Sequence, residues 1–285
     1  MDPRNIGEHL DANASLDAIA DPLARVTDRL LPSGAFKDML HGVWIGHPLH
    51  PVLTDLPIGF WTAATMLDLV SGQKTAGASK TLVGLGVAAA LPTAAAGLAD
   101  WSELNKPERR SGVVHAVANL CATVLFACSY LARRRGWFRR GVILGMAGMG
   151  AASAGGFLGG HLAFRRASGS SGAVDGDDTT EWSTLDGTLP TVDGDVATAR
   201  LGDTRLALAT LDGSPHALDA VCSHLGGPLD EGDLVDGCVR CPWHASAFRL
   251  VDGSVARGPA TVPQAAYEVR SDGQGGLEAH RKPPL

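Results

Sequence analysis

Cysteine and tyrosine are scarce in this sequence, and the cysteine count argues against a disulfide framework. There are five cysteines and two tyrosines in 285 residues. An odd number of cysteines cannot pair completely. Cys121 and Cys128 lie in an apolar stretch, whereas the other three lie close to histidines. That association predicts metal chemistry rather than oxidative cross-linking.

Basic residues are few, and the first residues lack the features of an export signal. Lys and Arg number 24 against 30 Asp and Glu, which gives a formal net charge of −6. Nucleic acid binding requires a clustered basic face, so we expect no nucleic-acid partner. Residues 1–37 are mixed and polar without an apolar core, so we expect no secretory signal peptide.

Lys, Arg and Glu are absent from four apolar stretches, at about residues 52–70, 81–100, 113–132 and 141–164. Each reaches the roughly 20 residues that a helix needs to cross a bilayer. Backbone polar groups in lipid must be satisfied within their own segment, so we predict four transmembrane helices. A soluble four-helix bundle is the alternative, but it requires a polar face on each helix, and none is visible.

The rest of the chain divides around this helical part. Residues 1–40 form an N-terminal segment with an amphipathic helix at 14–31, interrupted near Pro22. This helix lies on the membrane surface or packs on the domain beside it. The transmembrane domain covers residues 41–166. Residues 167–180, rich in Gly, Ser and Asp, have the composition of a flexible linker.

Residues 181–285 have the pattern of a small all-β domain. Residues 205–209 and 216–220 flank an Asp212-Gly213 turn, and a second Asp-Gly pair follows at 252–253. Short runs separated by such turns indicate small antiparallel sheets. The fold class is therefore multidomain, with an N-terminal four-helix transmembrane bundle followed by a C-terminal all-β domain.

Two short motifs in the β domain carry metal-binding residues. Cys222-Ser223-His224 and Cys241-Pro242-Trp243-His244 each offer one thiolate and one imidazole. A [2Fe–2S] centre with two thiolates on one iron and two imidazoles on the other needs this set. The alternative is a structural zinc site, in which Cys238, Cys241, Cys222 and a histidine form a Cys₃His set.

Residues 181–283 resemble the Rieske ferredoxin family through the runs C-S-H-L-G-G-P-L and C-P-W-H. The resemblance implies a Rieske domain with a cluster-binding subdomain, in which Cys222 and Cys241 are thiolate ligands. It implies His224 and His244 as the imidazole ligands of the [2Fe–2S] cluster. Residues 258–260 resemble the third loop that covers the cluster in such domains.

Departures from the quinol-oxidising branch of that family predict a low reduction potential. The two positions that form a disulfide in that branch are Gly226 and Trp243 here. The serine donor to the cluster sulfurs has a counterpart in Ser246, but the tyrosine donor is replaced by Phe248. Fewer donors stabilise the reduced cluster less, so we expect a potential at or below the low end of about −150 to +300 mV.

Four histidines lie at the ends of the predicted helices, on the face that carries the β domain: His47, His50, His115 and His161. Histidine beside a spanning helix is a functional hypothesis by default. His115 and His161 are candidates to bind haem b or another metal, and His47 or His50 could replace either. The alternative is interfacial hydrogen bonding with Asp55, Asp100 and Asn119 as partners.

The run H-P-L-H-P-V-L-T-D-L-P-I-G-F-W from His47 to Trp61, with G-G-H-L near His161, resembles a family of four-helix membrane domains of unassigned function. The resemblance covers about residues 40–170. It implies the four spans and a multi-pass protein of the cell membrane, with the lipid bilayer as a partner. It implies no activity.

No twin-arginine signal opens the chain, which favours a cytoplasmic Rieske domain because clusters are assembled before export. Arg139-Arg140 before the fourth helix is an alternative internal signal of that kind. About 40 residues follow His244, too few for the separate iron domain of a stand-alone oxygenase. We therefore expect an electron carrier or oxidoreductase component.

In this hypothesis the protein passes single electrons from a soluble donor, such as a ferredoxin reductase, to a membrane redox partner. Haem and quinone are the candidate acceptors. A protein of a different class is the alternative. In that case the cluster is the switch of a redox- or iron-responsive membrane sensor.

Overall fold

A computed structural model describes residues 5–169, 181–192 and 194–283. Within it the chain divides into two compact units. The first comprises Met1–Pro32 and Leu49–Ser168, and the second comprises Ser33–Pro48 and Gly169–Leu285. Ser33–Pro48 thus belongs with the β domain, a placement that differs from the predicted boundary at residue 40. Of the predicted linker, residues 170–180 lie outside the described residues.

Long α-helices make up the first unit. The α-helices of the described chain are α1 (Ile6–Ala12), α2 (Asp17–Leu30), α3 (Ala35–His41), α4 (Leu49–Ser71), α5 (Ala76–Ser102), α6 (Lys106–Arg134) and α7 (Phe138–Gly160). A π-helical turn, His161–Arg165, continues α7. All of these except α3 lie in the first unit.

The prediction of four separate spans needs correction. Among the described residues, three helical runs are long and apolar enough to cross a membrane: Leu49–Ser102, Lys106–Arg134 and Phe138–Arg165. The first run has 54 residues because a 3₁₀ turn, Gly72–Thr75, joins α4 directly to α5. Gly72 has a positive φ of 56°, so the chain reverses its direction at this turn, inside the run.

The first run folds back on itself, so α4 and α5 pack side by side. Thr93 Oγ1 donates to the carbonyl of Leu53 at 3.1 Å. A Cβ atom on Gly86 would lie 2.3 Å from Trp61 Nε1, so only glycine allows this approach. Helices α6 and α7 also pack closely, because a Cβ atom on Gly148 would lie 2.9 Å from the Phe126 ring.

Helix α2 packs on the first unit through its small residues. Ala20 and Ala24 are buried against Trp101 and Val113. The predicted interruption at Pro22 is wrong, because α2 continues through that residue. The larger apolar residues at helical spacing face away from this contact and are exposed: Ile19, Leu23, Val26 and Leu30.

Antiparallel strands make up the β part of the second unit, as predicted. The strands are β1 (Ser183–Leu185), β2 (Ala197–Leu201), β3 (Thr204–Leu211), β4 (Ser214–Asp219), β5 (Asp233–Val235), β6 (Cys238–Arg240), β7 (Ala247–Arg249), β8 (Val255–Arg257), β9 (Ala266–Ser271) and β10 (Leu277–Arg281).

The strands form two sheets. One sheet has six strands in the order β1-β10-β9-β4-β3-β2, and the other has four in the order β5-β6-β7-β8. The Asp212-Gly213 turn joins β3 to β4 with positive φ at both residues, as a two-residue hairpin turn requires. The smaller sheet carries the second metal-binding motif between β6 and β7.

Candidate iron–sulfur site

Two loops of similar construction hold the four predicted ligands. The first follows β4, and the second joins β6 to β7. In each loop the cysteine carbonyl accepts a hydrogen bond from the amide four residues later, from Gly226 to Cys222 and from Ala245 to Cys241. Gly226 and Ala245 both have positive φ. This geometry turns each loop back sharply, so that its cysteine and histidine face the same side.

The two thiols are neighbours in a buried position. Cys222 is 1% exposed and Cys241 is 3% exposed. The pKa of the Cys241 thiol is lowered, first because the Cys222 thiol donates a hydrogen bond to it, and also by the amides of Trp243 and His244. The pKa of Cys222 is raised because it holds the proton that the pair shares. One thiolate therefore forms readily here, and thiolates are the form that binds iron.

The two histidines are also neighbours, and His224 is electrically neutral. The ring centroids of His224 and His244 lie 5.1 Å apart. Burial, followed by the nearby charges of His244 and His41, lowers the pKa of His224 to about 3. His224 Nδ1 is buried and has no hydrogen-bond partner among the described residues. A neutral imidazole whose ring nitrogen has no hydrogen-bond partner can bind a metal ion.

Glycine and glutamine residues keep the loops together. A Cβ atom on Gly227 would lie 2.7 Å from Cys241 Sγ, so a side chain there would separate the loops. Buried Gln264 accepts from the Ser223 amide and donates to the carbonyls of Asp219 and Val221. The sequence interpretation missed Gln264, because a single glutamine far along the chain belongs to no recognisable pattern.

The third loop closes the site over Ser246. Ser246 is fully buried, and its Oγ accepts a hydrogen bond from the amide of Ala260 at 3.0 Å. Its own hydroxyl proton remains available for donation. Phe248 is fully buried in the same core as Cys222 and Cys241 and offers no donor. The loops that the resemblance implied thus lie together around the two thiols.

This donor set fits a [2Fe–2S] cluster better than a single metal ion. Two adjacent thiols and two adjacent imidazoles match the two-plus-two ligation that the two irons require. Among the described residues, no three His, Cys, Asp or Glu side chains converge as they would on one ion. The Cys₃His zinc alternative therefore has no support among these residues.

The contacts of the histidines in the helical unit give no support for a haem site. His50 and His115 lie close, with centroids 6.4 Å apart, and each ring's Nδ1 bonds to a backbone carbonyl. His161 Nε2 lies 2.8 Å from Asp11 Oδ2 in a buried pair. Axial ligation would require that nitrogen, so the predicted haem b at His115 and His161 is not supported. His47 lies in the second unit.

Hydrogen bonds involve all three histidines, as the alternative interpretation expected, but most of the partners differ from those it named: the carbonyls of Thr93 and Gly155 and the Asp11 carboxylate. Asn119 was among its expected partners, and its amide lies 3.2 Å from His115 Nε2. Asp11 was not predicted as a partner, because it lies in α1, outside the four apolar stretches. A Cβ atom on Gly7 of the same helix would lie 2.3 Å from His161 Nδ1, so α1 packs tightly on this ring.

Comparison with known proteins supports the family resemblances of both the β domain and the helical part of the chain. Residues 182–268 match the Rieske [2Fe-2S] domain, and residues 46–172 match a family described as predicted membrane protein (DUF2231). The anthranilate 1,2-dioxygenase ferredoxin subunit of Burkholderia cepacia is 33% identical over 96 residues, which cover 33% of this chain and 88% of that protein.

Two further relatives are similar over the same domain. Ferredoxin CarAc of Metapseudomonas resinovorans is 34% identical over 70 residues, which cover 25% of this chain and 65% of that protein. Apoptosis-inducing factor 3 of Homo sapiens is 34% identical over 77 residues, or 27% of this chain. The chain spans only 13% of the length of that relative.

The fold and the paired thiols and imidazoles therefore define an iron–sulfur electron-transfer domain attached to a set of apolar helices. The chain belongs to the Rieske [2Fe-2S] domain family, and residues 46–172 match the DUF2231 family of predicted membrane proteins.

Proposed function

We propose that this protein is a membrane-anchored one-electron carrier whose cluster is bound by Cys222, His224, Cys241 and His244. The observation that carries the proposal is the pairing of thiol with thiol and imidazole with imidazole. A [2Fe–2S] cluster ligated in this way accepts and releases single electrons. The chain's own contribution is to exclude water from the thiols, to direct amides at them and to keep His224 neutral.

The proposed donor is a soluble reductase. Two relatives are named as a ferredoxin or a ferredoxin subunit, and small carriers of that kind exchange electrons through an exposed edge. Trp243, between the ligands Cys241 and His244, is 55% exposed. An exposed aromatic residue beside a ligand offers a contact for such a protein partner.

The proposed acceptor is a membrane-bound redox partner such as a quinone. The three apolar helical runs support membrane anchoring, because each exceeds the length that crosses the hydrocarbon core. The β domain follows the last apolar helical run in the chain. Anchoring of that run in the membrane would keep the electron carrier close to membrane-bound acceptors. We also propose that the Rieske domain lies on the cytoplasmic side, where iron–sulfur clusters are assembled.

Electron paramagnetic resonance of dithionite-reduced, detergent-solubilised protein tests the ligand assignment. The wild-type protein should give a signal with an average g of about 1.9, lower than that of a [2Fe–2S] cluster with four cysteine ligands, as mixed histidine and cysteine ligation requires. Cys241→Ser should abolish it. Cys238→Ser is the matched control, three residues away on β6, and should retain it. Zinc in place of iron, with no signal, would contradict the proposal.

The cytoplasmic placement needs a separate test. Protease added to right-side-out vesicles should leave the Rieske domain intact, and the same protease should remove it from inverted vesicles. Cleavage in right-side-out vesicles would place the domain on the opposite side.

A further inference from the structure

A short segment before the first long apolar run packs on the Rieske domain. Ser33–Pro48 lies in the same compact unit as the β strands, although the Rieske family match begins only at residue 182. The segment contains α3 and a 3₁₀ turn, Val43–Ile45. We call residues 34–46 the strap.

The strap holds the third cluster loop through Asp38. The Gly258 amide donates to Asp38 Oδ1 at 3.1 Å, and Arg257 Nε lies 3.8 Å from Asp38 Oδ2. The Asp38 side chain is only 17% exposed. A hydrogen bond from an amide to a carboxylate is stronger than one between neutral groups. Asp38 therefore fixes the backbone of the loop at the residue before Pro259.

The strap also fits closely against this loop. A Cβ atom on Gly258 would lie 3.0 Å from Val43 Cγ2, which is tighter than ordinary contact. Gly42 and Gly46 have φ values of 89° and 66°, which let the strap turn after α3 and again after the 3₁₀ turn. A Cβ atom on Gly46 would lie 3.9 Å from the carbonyl of Thr261, so the second turn also reaches the loop.

His41 gives the strap a further contact with the third loop. The His41 side chain is buried, with 3% of the residue exposed. The hypothetical Cβ atom on Gly258 would lie 3.5 Å from His41 Cδ2. Asp38, His41 and Val43 of the strap thus all approach Gly258.

We propose that the strap is a fourth cluster-covering segment, in which Asp38 is a positioning residue for the third loop. This inference rests on the proposed function, because it takes the third loop as the cover of a bound cluster. The strap ends where the 54-residue apolar run begins. The segment that leads into the membrane part of the chain would therefore help to retain the cluster and set its potential.

The test compares two aspartates of the second unit in the full-length protein in detergent. Asp38→Ala removes the strap contact. Asp233→Ala removes an exposed ion pair with Arg240 on the smaller sheet and is the matched control. Loss of visible absorbance is followed after addition of an iron chelator. We expect iron loss roughly tenfold faster in D38A, as the loss of one hydrogen bond to a charged group gives, and no change in D233A.

Two further readouts separate positioning from general stability. The midpoint potential of D38A should shift, whereas that of D233A should not. Hydrogen exchange should accelerate in the peptide that contains Gly258 in D38A alone. A wild-type protein without a cluster signal would refute the proposed function. A normal wild-type signal with D38A equal to D233A in all three readouts would refute the strap alone.

A second pair of variants tests the same contact if D38A does not fold. Gly258→Ala should accelerate iron loss, because its new Cβ meets Val43. Val43→Ala combined with G258A should recover part of the loss, because it removes the methyl group in the way. Equal rates in wild type, G258A and the double variant would overturn the proposal.

Discussion

Hydrogen-bond donors around the sulfur atoms set how easily the proposed cluster accepts an electron. Backbone amides of His224 and Leu225 approach Cys222, and those of Trp243 and His244 approach Cys241. Ser246 adds one hydroxyl, which already accepts from Ala260. Phe248, fully buried in the same core, adds none. Each donor stabilises the reduced, more negative state.

Phe248→Tyr should raise the midpoint potential. A new donor worth about 1 kcal/mol to the reduced state corresponds to about 40 mV for a one-electron couple. Redox titration followed by electron paramagnetic resonance measures the shift. Leu250→Met, a change of similar volume in the same core, is the control and should leave the potential unchanged. A potential unchanged or lower in F248Y would show that position 248 does not reach the sulfur atoms.

The four candidate ligands could be named from the sequence because each motif is local, and their ligation of the cluster stays a prediction. A cysteine and a histidine two or three residues apart lie close together in the chain, and two such pairs complete the set. Asp38, His41 and Gln264 could not be found in this way. Asp38 meets Gly258 from the far end of the chain, and a single aspartate carries no spacing signal.

Helical elements were predicted well where composition alone decides and poorly at their ends. The apolar stretches became long helices, because lipid-compatible segments need internal hydrogen bonding. Gly72–Thr75 forms a 3₁₀ turn that joins α4 to α5, so two of the predicted spans share one helical run. Pro22 does not break α2. Tertiary contacts override such local signals.

One buried ion pair joins α4 to α6. Arg133 lies against both carboxylate oxygens of Asp68, with side chains 2% and 5% exposed. Ser129 Oγ also accepts from Arg133 Nε. Removing one partner of such a pair leaves an uncompensated buried charge. The pair therefore fixes how these two helices meet, at the end of the bundle near the Gly72–Thr75 turn.

Asp68→Ala should destabilise the helical unit by about 3–5 kcal/mol, measured by thermal unfolding in detergent. Replacing both partners with apolar residues, as in Asp68→Leu with Arg133→Met, should recover most of that loss. Glu8→Ala is the control, because it breaks the exposed Glu8–Arg165 pair and should cost at most about 1 kcal/mol. Equal losses in D68A and E8A would show that the buried pair contributes no special stability.

At the scale of the whole molecule, the two units have separate cores. Trp61 and Phe126 stack within the helical core, with ring centroids 4.2 Å apart. Cys222, Cys241 and Phe248 belong to a core of the second unit. The chain crosses between units at residues 32–33, 48–49 and 168–169. The boundary near residue 168 was predicted from the change in composition there. The boundaries at 32–33 and 48–49 were not predicted, because the composition does not change in a comparable way at those residues.

Iron removal should therefore destabilise the second unit and leave the helices in place. The proposed cluster binds only the folded ligand loops, so its loss withdraws a stabilisation on the order of 4 kcal/mol or more. For a domain of this size the corresponding transition should fall by roughly 15 °C or more. Circular dichroism of the helices, with limited proteolysis of the β domain, follows the two units separately. Cys241→Ser should unfold at the same temperature as the iron-free protein. If the transitions of the helical unit and the β domain instead shift together, the two units unfold as one.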